Sequence, residues 1–483
     1  MRTIHYLMLA TGIVAAVAVA APIMPPPLPD PAAAISPPLP SPPPACVLLD
    51  DVFQRPTRQH PEQRQFQLSV DYPTTPPPTV SYPWSDPNHW REYMFAVLRY
   101  AYQDNLSNEW YKPASSAATW FHAPWMGHKY SSLNRSGFGG REWAHGLTKE
   151  HKTPLRDLSP TMSNSKGQVD NWAVSIYNAP GGYTLRKVWE KICADNANQQ
   201  AIIFPPGTVV VKLIFTQATS NLVPYLANDV EWKANIDEQH PDNLLPLRLI
   251  QIDIAVRDTR ADATTGWVFG TFMFDGRRPI DSLWQIDTQK IPKDLRPWFH
   301  VYPLGLTWGV DPGRTNNPVE LHYDPKLAAT IRSPLGLQGR LNGPIDNPRS
   351  SCIACHAQAE RVSGPKAKPP TERNGFERNL KPGEALTPGL ISLDFSLQLK
   401  SGIYSYWNKQ NANAMSPHIN NVAVRQNISG PPAGLRQFPS RPRAVQRGHT
   451  RVEGSHGAPS RPRAVQRVMG IPPQPQLFNL PVR

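Results

Sequence analysis

Cysteine is scarce in this chain, four in 483 residues, and two of the four, Cys46 and Cys193, stand far from any other thiol. A zinc site built from cysteine pairs needs two such pairs, so that reading fails for want of ligands. Apolar runs are equally few. One stretch runs from Leu7 to Ala21, and nothing downstream approaches the ~20 residues that a spanning helix needs. Tryptophan is missing from both ends: all 14 lie between Trp84 and Trp407, which confines the burial of large aromatic surface to that interval. From Pro431 to Arg483 there is no lysine and a single acid, Glu453, against nine arginines. The tail therefore holds +8 of the formal +13, and the remaining +5 gives no reason to expect a nucleic-acid partner.

Proline is abundant instead, 56 residues in all, and 12 of the 23 positions from Pro22 to Pro44 are proline. Such a run lacks backbone donors and favours extended polyproline geometry over a packed core. Ahead of it, Arg2, the apolar run and the small residues Ala18-Val19-Ala20 have the form of a cleavable export signal. An uncleaved anchor with the proline stretch as its stalk is the alternative, and only then is a membrane a partner. The expected organisation is a signal peptide over 1–21, a Pro-rich linker over 22–83, an N-terminal extension of the folded region over 84–171, a main domain over 172–410, and a disordered basic tail over 431–483. The nine-residue string PSRPRAVQR occurs in that tail twice, at 439–447 and 459–467. The mature chain is expected in the periplasm or otherwise exported, an oxidising setting in which Cys46 and Cys193 either pair or remain single.

Periodicity predicts a helix from about His89 to Tyr102, where Trp90, Met94, Val97, Leu98 and Ala101 share a face, and loops with short elements from Trp110 to His151. After Trp172 the pattern becomes β. Thr208–Phe215 is rich in β-branched residues, and Leu247–Val256 places Ile250, Ile252, Ile254 and Val256 on one face and Asp253 on the other, with Leu249 and Gln251. Trp267–Phe274 is apolar on both faces and reads as a buried central strand. Irregular connections between these strands imply an antiparallel sheet, in a mainly β fold with helices, of the α+β class. Residues 391–400 alternate strictly yet also suit a short helix.

The chemistry is carried by Cys352-Ile-Ala-Cys355-His356. Two thiols at this spacing can each add to one vinyl group of a haem, and the histidine that follows is then held beneath the iron as axial ligand. A redox dithiol would not need His356, and no thioredoxin-like βαβ pattern surrounds the motif. One covalent haem c is the expected cofactor, carried on the antiparallel sheet. His122, His128, His145, His151, Met273 and Met415 are candidates for a sixth ligand, each with an ordinary structural role as the alternative.

FPPGTVVVK (204–212), IDIAVRDTRA (252–261), GWVFGTFMF (266–274) and CIACHAQAE (352–360) follow one another in an order that resembles the cytochrome P-460 family. Members of that family are exported β-sheet c-type cytochromes that oxidise hydroxylamine and carry a haem cross-linked to a lysine. The resemblance covers about a third of the chain. It implies that Lys212 falls at the cross-linking lysine, that Asp253 is the distal proton acceptor, and that Arg186, in TLRKVW, stands where a distal arginine would. The chain is more than twice the usual length for the family, with longer loops between the matched strands. The implied function is redox chemistry on a small nitrogen compound, hydroxylamine or nitric oxide, with a redox protein as partner. The alternatives are a non-catalytic haem module for gas binding or electron transfer, similar to the cytochromes c-prime-beta, and a β-rich binding protein with an accessory haem.

Overall fold

The structure is a computed structural model. It describes residues 69–77, 84–105, 120–126, 146–194, 200–234, 236–237, 243–309, 319–332, 335–363 and 378–415, together with 44, 46 and 47. The export segment, most of the Pro-rich linker, His128, His145, the side chain of Met415 and the basic tail with its duplicated string lie outside the described residues.

Nine strands form one antiparallel sheet. They are β1 (Trp120–His122), β2 (Thr148–Lys149), β3 (Asn171–Asn178), β4 (Val209–Thr216), β5 (Glu231–Ala234), β6 (Leu245–Arg257), β7 (Trp267–Phe274), β8 (Val301–Gly309) and β9 (Val319–Tyr323). The order is β1-β3-β4-β6-β7-β8-β9, with β2 paired to β3 and β5 to β6. All eight residues of β7 are buried and the strand lies between β6 and β8, as expected of a strand apolar on both faces. β1 and β2 come from the stretch read as an N-terminal extension, and they hydrogen-bond to β3 of the same sheet. Among the described residues no helix is long and apolar enough to cross a membrane.

The alternation of each strand divides its residues between two cores. Val209, Val211 and Leu213 of β4, Ile252, Ile254 and Val256 of β6 and Val268 and Phe272 of β7 belong to the first. Helix α1 (Trp90–Asn105) covers it through Phe95, whose ring lies 5.7 Å from Phe272, and Tyr102, stacked 5.1 Å from Trp284. Val210, Trp267 and Phe269, one residue out of step, belong to the second core. There they meet Leu185, Val188 and Trp189 of α2 (Ala179–Cys193), Ile353 and Ala354 of α3 (Cys352–His356), and Leu399, Ile403 and Tyr404 of α4 (Leu397–Met415). Both faces of the sheet are thus covered.

Two elements differ from the periodicity reading. Residues 179–193 are helical although the region reads as β, because Pro180-Gly181-Gly182 has the look of a loop. Proline is tolerated in a first helical turn, and the glycines answer to packing: a Cβ at Gly181 would lie 2.9 Å from Tyr177, and one at Gly182 would run into the Phe121 ring. Residues 391–400 are neither strand nor helix throughout. β11 (Ile391–Ser392) pairs with β10 (Glu360–Arg361), and the chain then turns through Asp394 and Phe395, both with positive φ, before α4 begins. The Ser396 hydroxyl accepts the Leu399 N–H at 3.2 Å and caps that helix.

Candidate functional site

A helix places residues three and four apart on one face, so the five-residue α3 sets Cys352, Cys355 and His356 together. The two residues between the cysteines, Ile353 and Ala354, are fully buried and key the helix into the second core. Its start is fixed by Ser351, whose hydroxyl accepts the Ala354 N–H at 3.2 Å. Neither Cys352 nor Cys355 is in a disulfide; Cys46 and Cys193 are bonded to each other. Burial pushes the Cys352 thiol well above its ordinary value, and Asp346 and Asp253 push it further. A redox dithiol works through a thiolate of lowered pKa, which is the opposite environment.

His356 donates its Nδ1 proton to the Phe395 carbonyl at 2.8 Å, since a carbonyl oxygen can only accept. That bond leaves Nε2 with its lone pair. Burial lowers the imidazole to about 4; the Phe395 bond and Asp346 oppose this, while Lys212 adds to it, so the ring is neutral at physiological pH. Phe269 of β7 lies with its ring centre 4.9 Å from the imidazole.

Beside this helix the sheet carries a row of polar residues. In register across four strands, Ser175 of β3 faces Lys212 of β4, Lys212 faces Asp253 of β6, and Asp253 faces Thr271 of β7. Lys212 and Thr271 keep step with Val210 and Phe269, so the row lies on the face of the second core. Thr271 is the link to α3: its hydroxyl donates to Asp253 Oδ1 at 2.9 Å and lies 3.9 Å from Cys352 Sγ. Lys212 and Asp253 are thereby brought beside Cys352 and α3.

Around Asp253 the charges are crowded. The buried Gln251 amide nitrogen donates to Asp253 Oδ1 and Oδ2 at 2.8 and 3.0 Å and to Asp346 Oδ2 at 3.0 Å. Burial and the neighbouring Asp346 raise the Asp253 carboxyl to about 7, against the pull of Lys212, Gln251 and Thr271. Lys212, half-buried, is ion-paired with Glu150 at 3.0 Å. Burial disfavours its charge, but Glu150, Asp253 and Asp346 together outweigh that and hold the ammonium above its ordinary value.

Arg186 lies on α2 and pairs with Glu190 one turn on, at 2.8 Å. Arg257 pairs with Asp262. His122 is buried with Nδ1 on the Ser175 carbonyl at 2.9 Å, and Met273 sits in the first core, accepting from Thr330 at 3.5 Å. Sequence reasoning missed Glu150, Gln251, Thr271, Asp346 and Phe395. Thr271, a polar residue in an otherwise apolar strand, and Gln251, two residues from Asp253 on the same face, were there to be noticed; Glu150 and Asp346 come from loops without a pattern, and Phe395 acts through its backbone carbonyl, which alternation in 391–400 does not reveal.

The donor set suits a haem. Two thiols outside any disulfide share a face with an imidazole whose outer nitrogen is engaged by a carbonyl, the usual arrangement behind a metal-ligating histidine. Among the described residues no three His, Cys, Asp or Glu side chains gather as a metal site on their own, whereas a haem brings its own four nitrogens. No protein-family model, curated protein or solved structure matches the chain.

Proposed function

We propose that the chain is an exported mono-haem c-type cytochrome that carries out redox chemistry on a small nitrogen compound such as hydroxylamine or nitric oxide. The observation that carries this reading is the placement of the Lys212–Asp253 cross-strand pair beside the Cys352-X-X-Cys355-His356 helix, bridged by Thr271. Cys352 and Cys355 would hold the haem and His356 Nε2 its iron. A histidine-ligated haem supplies an electron acceptor and an open position for a small nitrogen ligand. Asp253, with its carboxyl near neutrality, is poised to take a proton from that ligand and release it again. Gln251 and Thr271 aim the carboxylate, and Lys212 steadies its charged form. The Cys46–Cys193 disulfide supports an oxidising compartment, in keeping with the signal-like N-terminus.

One observation favours the non-catalytic alternative. Paired with Glu150, Lys212 is held as an ammonium, and an ammonium is not a nucleophile. A haem module without the cross-link, for gas binding or electron transfer, is the second reading.

The test is the full chain made with haem-attachment machinery. Covalent haem on a denaturing gel is expected, with hydroxylamine-dependent reduction of an added acceptor that falls about 10²–10⁴-fold in Asp253→Asn. A bis-ligated low-spin spectrum in both oxidation states rules out the enzyme, and carbon monoxide binding without turnover selects the second reading. An unchanged optical spectrum and haem-adduct mass in Lys212→Ala dismiss the cross-link.

A further inference from the structure

The carbonyl that orients His356 belongs to a costly piece of backbone. Asp394 and Phe395 have φ of 46° and 64°, two consecutive left-handed residues, neither of them glycine. Left-handed backbone is unfavourable for L-residues by about 1 kcal/mol or more each and persists only where the surroundings enforce it. The enforcement can be traced. Asp394 is 1% exposed, and its Oδ2 accepts the Phe204 backbone N–H at 2.7 Å, on the loop leading into β4. The Asp394 N–H donates to Ser392 Oγ at 3.1 Å, and Leu393 N–H donates to the Ala359 carbonyl at 2.8 Å, just beyond α3. Ser396 N–H closes the turn on Leu393 at 3.0 Å, and the Ser396 hydroxyl meets Tyr177 at 2.8 Å. Burial disfavours the charged carboxylate, and Trp267 and Arg257 offset part of that, although Trp267 Nε1 and Asp394 Oδ1 reach hydrogen-bond geometry with no partner among the described residues.

In the turn so held, the Phe395 carbonyl meets His356 Nδ1 at 2.8 Å, and the Phe395 ring rests 6.2 Å from Phe269, the ring beside the imidazole. We infer that Asp394 is the positioning residue of the site: by anchoring the Leu393–Ser396 turn to the loop before β4, it fixes the tautomer, orientation and donor strength of His356. The inference rests on the proposed role of His356 as axial ligand and extends it to a residue far outside the attachment motif. A carbonyl on Nδ1–H gives the imidazole more anionic character and would strengthen its hold on a ferric iron bound there.

Three variants separate anchoring from charge. Asp394→Gly removes the anchor while tolerating positive φ, Asp394→Asn keeps an acceptor oxygen at Phe204 and also tolerates positive φ, and Ser392→Ala removes one neutral contact of the same turn. In the holoprotein, Asp394→Gly is expected to lower the ferrous iron–histidine stretching frequency and raise the reduction potential. Ser392→Ala should shift both in the same direction by less, and Asp394→Asn should leave both near wild type. In the full chain produced without haem, nitrogen-15 labelled histidine should show His356 protonated on Nδ1 in wild type and Asp394→Asn, and a tautomer mixture in Asp394→Gly. Wild-type values in both Asp394→Gly and Ser392→Ala overturn the inference, and so does a shift in Asp394→Asn as large as that in Asp394→Gly. Ser392→Ala keeps the test decisive if Asp394→Gly does not fold. Absence of covalent haem defeats the axial-ligand reading instead, and the tautomer measurement then still decides whether Asp394 positions the ring.

Discussion

Asp253 holds its proton to about pH 7, whereas an unfolded aspartate loses it near pH 4. Between those values the folded state binds the extra proton, so this group makes stability fall as pH rises through that window and level off above it. Asp253→Asn is therefore expected to remove that fall, worth roughly 1–3 kcal/mol after allowance for solvent screening. Urea unfolding of the full chain at pH 4.5 and 7.5 measures it, and an undiminished fall in the variant refutes it. Lys212 presents the complementary case. Removing its ammonium leaves Glu150, Asp253 and Asp346 facing one another without their shared cation. Lys212→Met should cost about 1.5–3 kcal/mol, and adding Glu150→Gln should recover part of that loss in a double-mutant cycle. Lys212 and Asp253 were legible because each lies in a strand segment with a pattern. Glu150 and Asp346 were not, because a loop carboxylate shows its partner only when the chain is folded.

At the scale of elements, alternation was informative wherever one strand separated two environments. It assigned Asp253 to the face opposite Ile252 and Ile254, but left open what covers that face. The cover is a second core built from α2, α3 and α4, whose contacts come from remote parts of the chain. α2 was hidden by Gly181-Gly182, where close approach to Tyr177 and Phe121, rather than a turn, demands glycine. The short α3 depends on its cap as much as on packing, since five residues cannot sustain a helix by propensity. Ser351→Ala removes the acceptor for Ala354 N–H and should cost about 1 kcal/mol, read from urea midpoints. On the proposed haem reading, loosening the start of α3 should also lower the yield of covalent haem at Cys352 and Cys355; wild-type yield would show that packing of Ile353 and Ala354 is sufficient.

At the scale of the whole molecule, the scarcity of cysteine becomes a division of labour. Cys46 and Cys193 close a span of 147 residues and tie the segment around Val47, which is fully buried, to the end of α2. Trp125 reinforces the tie by donating its indole N–H to the Cys46 carbonyl at 2.9 Å. A cross-link of that span limits the unfolded chain, and replacing both cysteines by alanine should cost about 2–5 kcal/mol. The pairing also takes two thiols away from Cys352 and Cys355, which on the proposed reading would have to reach haem attachment reduced. In the oxidising compartment proposed for the chain, a single Cys46→Ala change would leave Cys193 without its partner and able to exchange into mixed disulfides with Cys352 and Cys355. The single variant should accordingly yield less covalent haem per chain than wild type. The double variant Cys46→Ala/Cys193→Ala should recover that yield while remaining the less stable protein. Haem-to-protein ratios compared with urea midpoints separate the two effects: if yield follows stability across all three proteins, the disulfide serves only as a staple, and if the double variant regains haem without regaining stability, it also protects the attachment site.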